Sequence, residues 1–370
     1  MTTSPTEDRP SGEARRAMIY GTGLIGGSVG MALTRRGWQV SGIDVVPSVA
    51  KRAVALGAIA EVGEDHSAEL VVVATPVHVA AEVVGGVLSG PYRPSTVVTD
   101  VGSVKGPLVA SIDHPFFVGG HPMAGSEQIG IEGAAADLFV GATWVLTPTA
   151  STDPDAYARL RAVLADIGAD VVALDADRHD SLVAVVSHVP HLTAATLMTL
   201  AADLEDERAA VLKLAAGGFR DMTRIAAGQP SIWPGICDDN AEAIVETLDR
   251  LIEALAGMRR RVAERDHRAL LEVLGRAASA RRALTEGAPR TDGQAEVRIP
   301  VSDRVGVLAE ITTLATELGV SIDDVEIAHS VEGDRGVLVL VVDARSAPTL
   351  VEAVTDRGYR AAITPLGTAG

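Results

Sequence analysis

The sequence is poor in cysteine, in aromatic residues and in positive charge. A single cysteine, Cys237, excludes an internal disulfide and leaves no set of thiols for a structural zinc site. Only 32 Lys and Arg stand against 49 Asp and Glu, so the formal net charge is -17 at pH 7. This charge repels a nucleic-acid backbone and an anionic membrane surface, so neither is an expected partner. An anionic substrate therefore needs a local group of basic side chains.

Long apolar runs are also missing from the sequence. No run approaches the roughly 18–20 apolar residues of a membrane span, so no membrane contact is expected. Residues 1–16 contain no apolar stretch, which predicts a disordered lead-in rather than a signal peptide or an anchor. A cytoplasmic protein is the resulting prediction. The 370 residues, 47% of them hydrophobic, suffice for two or three packed cores.

Three domain-sized segments follow this lead-in, and a linker joins the last two. Residues 17–175 alternate short β-branched runs with helical patterns, which predicts a parallel, doubly wound sheet in a Rossmann-like α/β domain. Residues 176–285 are almost continuously compatible with helix and predict an α-helical middle domain. Residues 286–293 combine Pro, Gly and charges and indicate a linker. Residues 294–370 follow the order β-α-β-β-α-β, typical of a ferredoxin-like α+β domain.

A glycine-rich turn follows the first expected strand. Gly21, Gly23 and Gly26 have the spacing that lets a backbone turn tightly, approach a pyrophosphate and pack a helix against its strand. Leu24 and Ile25 would open that helix, so their N–H groups would face the anion. A strand before the turn and a helix after it make a dinucleotide site the expected function.

Two further strand ends belong to the expected cofactor site. Asp44 ends the second strand, where a carboxylate accepts hydrogen bonds from a ribose 2′-hydroxyl and repels a 2′-phosphate. The cofactor predicted is therefore NAD rather than NADP. Thr75 and Pro76 end another strand where the cofactor would lie, although an ordinary turn explains them almost equally well.

Polar groups follow two more strands of the same predicted sheet. One segment ends in Ser103 and Lys105, and the next contains His121, Ser126 and Glu127. Because ligands of open α/β sheets bind at the carboxyl ends of strands, these side chains should converge on one site. An isolated histidine is more often structural, but the neighbouring polar strand end favours a functional role for His121.

The helical segment carries polar groups in apolar surroundings as well. Ser187, His188 and His191 surround Pro190, which should kink or start a helix. Arg220, Arg224 and Trp233 lie further along the chain. A metal site is the competing interpretation of the histidines, and none is expected because no third convincing ligand and no thiolate accompany them.

Five motifs in order resemble one family. The runs GTGLIGGS, DVGSVK, GGHPMAGSE, SHVPH and GGFRDMTRIA together resemble the TyrA family of prephenate and arogenate dehydrogenases, over roughly residues 17–255. This resemblance implies NAD-dependent oxidative decarboxylation of prephenate to 4-hydroxyphenylpyruvate, or of arogenate to tyrosine. Prephenate is favoured by the frequency of the two activities in the family, and no residue decides between them.

The resemblance also implies roles for individual residues. His121 would take the proton of the substrate hydroxyl, and Ser103 would orient its imidazole. Arg224 would bind a substrate carboxylate, for which its planar fork is suited. The remaining substrate-binding candidates either line the pocket or support its wall: Ser187, His191, Ser126, Glu127, Arg220 and Trp233.

The C-terminal segment resembles an ACT domain, a module that often binds amino acids. The effector residues expected from this resemblance are Asp303, Gly306, Val307 and Leu308, with Val305 where proline is frequent. Feedback inhibition by tyrosine or another aromatic amino acid is the hypothesis, and a purely structural or dimerising role is the alternative. The family and the apolar helical faces imply a homodimer formed through the helical domain.

Two other functions compete with this interpretation. A hydroxyacid or 6-phosphogluconate-type dehydrogenase shares the two-domain plan, but it uses a helical-domain lysine where this chain offers His121. A non-catalytic amino-acid sensor with vestigial NAD binding is the second. The intact set of His121, Ser103 and Arg224 argues against the sensor.

Overall fold

The structure is a computed structural model that describes residues 14–125, 128–204, 215, 217–285, 294–302, 304, 306–329 and 335–366. The chain divides into two compact units. The first contains residues up to Asp203 together with Thr223–Ile252, and the second contains Leu204–Met222 and the chain from Glu253 onward. This division crosses the predicted helical domain. Residues 1–13 of the predicted lead-in and the predicted linker 286–293 lie outside the described residues.

An eight-stranded sheet forms the centre of the first unit. Its strands are β1 Arg16–Tyr20, β2 Gln39–Ile43, β3 Glu61–Val62, β4 Leu70–Val73, β5 Val97–Asp100, β6 Phe117–Pro122, β7 Thr143–Thr147 and β8 Asp170–Ala173. Their order across the sheet is β3-β2-β1-β4-β5-β6-β7-β8. The first six strands are parallel, as predicted.

The last two strands differ from the prediction of a fully parallel sheet. β7 pairs antiparallel with β6, and β8 runs parallel to β7. A parallel neighbour requires a crossover, usually an α-helix. The described residues between β6 and β7 contain only the 3₁₀ turn Gly130–Gly133, so the chain returns beside β6 in the opposite direction.

Helices cover both faces of this sheet. They are α1 Leu24–Arg35, α2 Pro47–Ala55, α3 Val77–Ser89, α4 Gly106–Ser111 and α5 Pro154–Asp166. One apolar core contains residues of α1, α2 and α5, and the other contains residues of α3 and α4. The strand order reverses between β1 and β4, which creates the crevice where such folds bind dinucleotides.

The helical elements that follow the sheet begin with an irregular helix. They are α6 Ala176–Val183, a π-helical turn Ala184–His188, α7 Val189–Ala202, α8 Gly217–Thr223, the 3₁₀ turns Arg224–Ala227 and Pro230–Ile232, α9 Trp233–Asp239, α10 Ala241–Glu264 and α11 His267–Thr285. Pro190 has no N–H to donate to the preceding turn, so the helix widens there into the π turn rather than ending.

The helical stretch formed by α6, the π turn and α7 is rich in apolar residues. By length and composition alone, the continuous helical stretch Ala176–Ala202 could cross a membrane. His179, Asp180 and His188 lie in this stretch, and their side chains hydrogen bond within the folded chain. Such contacts are those of a helix packed in a globular domain, so the stretch gives only weak support for a span.

The second unit contains a four-stranded antiparallel sheet. Its elements are β9 Gln294–Ser302, α12 Val307–Glu317, β10 Ile322–His329, β11 Arg335–Asp343, α13 Ala347–Asp356 and β12 Ala362–Leu366. The strand order is β10-β11-β9-β12, with every pair antiparallel. Both helices share one apolar core with β9 and β11. The observed order matches the predicted β-α-β-β-α-β arrangement.

Candidate active site

The glycine-rich turn after β1 is built around contacts that exclude side chains. Gly21 has a φ of 89°, and a Cβ placed there would lie 2.4 Å from the carbonyl oxygen of Ala74. A Cβ on Gly26 would lie 1.9 Å from the carbonyl oxygen of Gly21. The fold itself therefore requires both glycines.

Gly23 has a different reason to lack a side chain. A Cβ at this position would meet no protein atom within 4 Å, so the packing of the chain does not require glycine there. Gly23 precedes α1, which begins at Leu24, has no side-chain cap and carries no acidic residue in its first turn. Free N–H groups and open space at a helix N-terminus suit a pyrophosphate.

Asp44 and Thr75 complete the part of the crevice that fits NAD. The Asp44 carboxylate accepts hydrogen bonds from the Thr22 N–H at 2.9 Å and the Val46 N–H at 2.9 Å, which hold it beside the glycine turn. The Thr75 hydroxyl, after β4, is buried and has no hydrogen-bond partner among the described residues. Pro76 directly precedes α3. The predicted cofactor residues thus line the crevice between β1 and β4.

A buried ion pair fixes the backbone before His121. Lys105 and Asp100 are 0% and 1% exposed and pair directly. The Lys105 ammonium also donates to the carbonyl oxygen of Gly120 at 2.9 Å, and Asp100 accepts from the N–H of Gly120 at 3.0 Å. The ion pair therefore makes hydrogen bonds to both backbone polar groups of Gly120, the residue before His121. The sequence analysis named Lys105 but did not predict its ion pair with Asp100. An Asp and a Lys close together at the end of a buried strand could have indicated such a pair.

His121 lies on β6, near its carboxyl end, and the residue is partly exposed. Its Nδ1 lies 2.9 Å from Nε2 of His179, and Nδ1 of His179 lies 2.7 Å from a carboxylate oxygen of Asp180. Burial holds the pKa of His121 well below its usual value, with smaller contributions in the same direction from Lys105, His179 and His188. The imidazole is therefore uncharged at neutral pH.

The contact that orients His121 differs from the prediction. Among the described residues, Ser103 makes no hydrogen bond to His121, and the ring contacts His179, on α6. The reason is topological, because α6 returns to the end of β6 and brings a fully buried histidine against the ring. An adjacent His and Asp in the sequence, shortly before the SHVPH motif, was the signal that could have identified this pair.

Asp180, on α6, connects this helix to the start of α4 through hydrogen bonds. Its two carboxylate oxygens accept from the N–H of Lys105 at 2.8 Å and the N–H of Gly106 at 2.7 Å. Its carbonyl oxygen accepts from the side-chain amide of Asn240 at 3.0 Å. Neither Asp180 nor Asn240 was among the predicted site residues.

Two histidines around Pro190 have different environments. His188 is 1% exposed, and its Nδ1 lies 3.1 Å from the Asn240 amide nitrogen. Burial lowers its pKa to about 4, against an opposing effect of Asp180. His191 stacks on Trp233 with ring centroids 3.7 Å apart. The structure thus brings together His191 and Trp233, two of the predicted substrate residues.

Other predicted substrate residues are distributed over several elements. Ser187 lies in the π turn, and Arg224 begins an exposed 3₁₀ turn that packs against α7 close to His191. Arg220 belongs to the second compact unit. Ser126 and Glu127 lie outside the described residues.

The predicted effector turn lies between β9 and α12. Gly306 has a φ of 92° and directly precedes α12, whose first residues are Val307 and Leu308, while Asp303 lies outside the described residues. Arg304 donates to Glu310 at 2.6 Å and to the Tyr359 hydroxyl at 2.8 Å. These bonds tie the turn to the chain that leads into β12.

Comparison with known proteins identifies the family. The family model "Prephenate dehydrogenase, nucleotide-binding domain" matches residues 29–173, and "Prephenate dehydrogenase, dimerization domain" matches residues 175–276. The chain belongs to the prephenate dehydrogenase family. As a prephenate dehydrogenase family member, it is an NAD-dependent oxidoreductase.

Individual relatives support the same family. Prephenate dehydrogenase of Bacillus subtilis (strain 168) is 32% identical over 87% of this chain and 90% of its own length. The structure of Aquifex aeolicus prephenate dehydrogenase in complex with hydroxyphenyl propionate and NAD+ has a TM-score of 0.69 and 31% identity, covering 74% of this chain and all of that one. Synechocystis arogenate dehydrogenase has a TM-score of 0.63 and 31% identity, covering 73% of this chain and 99% of its own.

Proposed function

We propose that this prephenate dehydrogenase acts in tyrosine biosynthesis and oxidises prephenate with NAD to give 4-hydroxyphenylpyruvate and CO2. The observation that carries the proposal is His121, a partly exposed residue whose uncharged imidazole is held at one ring nitrogen near the carboxyl end of β6. A neutral imidazole is the form that accepts a proton. NAD, when bound, supplies the hydride acceptor.

His121 acts as the general base in this proposal. It accepts the proton of the substrate ring hydroxyl as the hydride leaves the same carbon, so no charged alkoxide has to form. Loss of CO2 and formation of the aromatic ring then drive the reaction forward. Ser103, which follows the neighbouring strand β5, is the second proposed catalytic residue.

Basic and aromatic groups of the helical elements bind the substrate. Arg224 pairs with a substrate carboxylate, since an anionic ligand needs local positive charge in a chain of net charge -17. His191, stacked on Trp233, offers a ring face and a polar edge to the substrate. The other proposed substrate contacts are Ser187, Ser126, Glu127 and Arg220.

The cofactor contacts follow the crevice between β1 and β4. The N–H groups at the start of α1 hold the pyrophosphate, and Asp44 accepts from the adenosine ribose. A carboxylate at this position repels a 2′-phosphate, so NAD is preferred to NADP.

Arogenate is the second candidate substrate. The specific observation in its favour is the similarity to Synechocystis arogenate dehydrogenase, at 31% identity. Prephenate carries a keto group where arogenate carries an amino group, so an enzyme distinguishes them at that position of the side chain.

The experiment is a direct assay of NADH formation with purified protein and NAD, offering prephenate and arogenate in parallel. We expect turnover of prephenate, and we expect His121→Asn to reduce turnover by roughly 100-fold or more while the Kd for NAD is unchanged. Arg224→Ala should mainly raise the KM for the substrate. Binding of NAD without turnover of either substrate would refute the proposal and favour the sensor function.

Regulation through the C-terminal unit is a further part of the proposal. We assign it as an ACT domain that binds tyrosine or another aromatic amino acid at Asp303, Gly306, Val307 and Leu308. The ferredoxin-like topology and the left-handed backbone of Gly306 support this assignment. Tyrosine should inhibit the wild-type enzyme, and full insensitivity to all aromatic amino acids would refute it.

We also propose that the enzyme is a cytoplasmic homodimer. The match to the dimerization-domain model supports the dimer, and so does a stripe along α10 whose apolar side chains are more than half exposed: Val245, Ile252, Leu255 and Val262. Ile252→Glu should weaken the dimer in analytical ultracentrifugation. Arg250→Glu adds the same side chain on the opposite face of the helix and should not.

A further inference from the structure

Three ionisable side chains form a continuous hydrogen-bonded chain that ends at the proposed base. His121 Nδ1 and His179 Nε2 are 2.9 Å apart, and His179 Nδ1 and Asp180 Oδ1 are 2.7 Å apart. His179 is 0% exposed and Asp180 is 7% exposed, so the contact between these two residues is shielded from water. The two rings meet nearly edge-on, at an interplanar angle of 78°.

The contacts of Asp180 determine which nitrogens carry protons. Both its carboxylate oxygens accept backbone N–H bonds, from Lys105 and Gly106, so Oδ1 acts as an acceptor toward His179 as well. Nδ1 of His179 must therefore carry a proton. In neutral His179 the other nitrogen, Nε2, is then an acceptor, so Nδ1 of His121 must be the donor. This leaves Nε2 of His121 as the unprotonated atom.

We propose that His179 and Asp180 form a proton relay with His121, which fixes its reactive tautomer and moves the acquired charge away from the substrate. The relay rests on the proposed function, because it requires His121 to act as the base. It adds His179 and Asp180 as positioning residues that act through His121.

The proton balance of the relay is simple. The substrate O–H bond breaks and an N–H bond forms at Nε2 of His121. The Nδ1–H bond of His121 then breaks, and a new bond forms between this proton and Nε2 of His179. His121 is again neutral, with its proton on Nε2, and the positive charge resides on His179 beside the Asp180 carboxylate.

The surrounding charges favour this final arrangement. Lys105, His188 and a protonated His179 each disfavour a positive charge on His121, so the two rings of the relay take up one charge between them. Lys105 is itself paired with Asp100, and Asp180 is the carboxylate in direct contact with His179. A positive charge on His179 therefore has a directly bonded counter-ion, which a charge on His121 does not have among the described residues.

The tautomers can be observed directly. The chain has 9 histidines, so ¹⁵N-histidine NMR of the NAD-bound enzyme is tractable, with assignment by single substitutions. We expect His121 and His179 to carry their neutral-state protons on Nδ1. Because the Asn240 amide donates to both the Asp180 carbonyl and Nδ1 of His188, His188 should carry its proton on Nε2 and serves as an internal contrast. A His121 that is protonated on Nε2 in the resting enzyme would overturn the relay.

Two substitutions of His179 separate positioning from proton transfer. In His179→Gln the amide oxygen replaces Nε2 as an acceptor, so the His121 tautomer is kept, but no proton can be taken up. In His179→Leu the Nδ1–H of His121 has no acceptor, and the tautomer is lost. In serine proteases, loss of the group that fixes the histidine tautomer lowers kcat by about 10⁴-fold.

We expect kcat to fall by roughly 10-fold in His179→Gln and by roughly 100-fold or more in His179→Leu, with little change in KM or in the Kd for NAD. The acid limb of the pH profile of kcat/KM should move to lower pH in His179→Gln, because a charge confined to His121 is less stable. His179→Gln serves as the decisive variant should His179→Leu fold poorly.

Each outcome has a distinct meaning. Wild-type kcat and an unchanged acid limb in His179→Gln, with turnover lost in His121→Asn, would overturn the relay and leave the proposed function standing. Full activity of His121→Asn would overturn both. Equal losses in both His179 variants, together with weakened NAD binding, would show a purely structural role for His179 and would also overturn the relay.

Discussion

Replacing Lys105 by Met tests the buried ion pair through stability and catalysis together. The substitution keeps the length of the side chain and leaves the Asp100 carboxylate uncompensated at 1% exposure. Breaking a buried pair by removing one partner costs about 3–5 kcal/mol, and the lost bond to the Gly120 carbonyl adds about 1 kcal/mol. Two backbone N–H groups still donate to Asp100 and offset part of this cost. We therefore expect the free energy of unfolding to fall by about 3–5 kcal/mol.

Urea unfolding followed by tryptophan fluorescence measures this change in the correct part of the protein. The tryptophans, Trp38, Trp144 and Trp233, all lie in the first compact unit with the ion pair. The double variant Lys105→Met/Asp100→Asn removes both charges and should recover a large part of the loss. A loss below about 1 kcal/mol in Lys105→Met would refute the description of a buried, coupled pair.

The same substitution has a catalytic consequence of definite sign. Lys105 disfavours the protonated form of His121, so its removal should raise the pKa of that imidazole. A base with a higher pKa becomes protonated at a higher pH, and the acid limb of kcat/KM should move upward. A shift to lower pH would show that Lys105 acts on His121 by some other route.

The cofactor turn and the buried histidine give two further predictions. Gly23→Ala should fold normally but weaken NAD binding by at least roughly tenfold, because its Cβ would occupy the space expected for the cofactor. Gly26→Ala should instead lose stability, because its Cβ would overlap the carbonyl oxygen of Gly21. Equal NAD affinities of wild type and Gly23→Ala in titration calorimetry would contradict this prediction. The pKa of His188 is about 4 in the folded protein and about 6.5 in the unfolded chain, so below about pH 6.5 unfolding is accompanied by proton uptake at this residue. The free energy of unfolding should therefore decline by up to about 3 kcal/mol as the pH falls to 4. His188→Gln should flatten that decline in pH-dependent urea melts, and an unchanged slope would show that His188 is not its source.

Local spacing was sufficient to predict the cofactor crevice. The glycines, Asp44 and Thr75 follow strands whose order along the chain also sets their order in space, because parallel strands with helical crossovers present their carboxyl ends at one edge. The direction of β7 was not predictable in this way. It depends on the connection from β6, in which the absence of a crossover helix is a weak signal.

The surroundings of His121 show the limit of sequence reasoning more clearly. Ser103 was a natural partner because it lies at an adjacent strand end, but the ring contacts His179, which is 58 positions away along the chain. Which of several polar residues reaches a ring depends on the packing angle of α6. The buried pair of Asp100 and Lys105 was hidden for the same reason, since spacing shows that both are present but not that they meet.

The contacts of Asp180 have a mechanical consequence. This residue belongs to the segment that matches the dimerization domain, while its carboxylate holds the N–H groups of Lys105 and Gly106 in the segment that matches the nucleotide-binding domain. Separating the two family domains at this point would break both hydrogen bonds and leave the buried Asp180 carboxylate without these two donors. Any movement that accompanies substrate entry or product release is therefore expected to keep this joint between the two family domains closed.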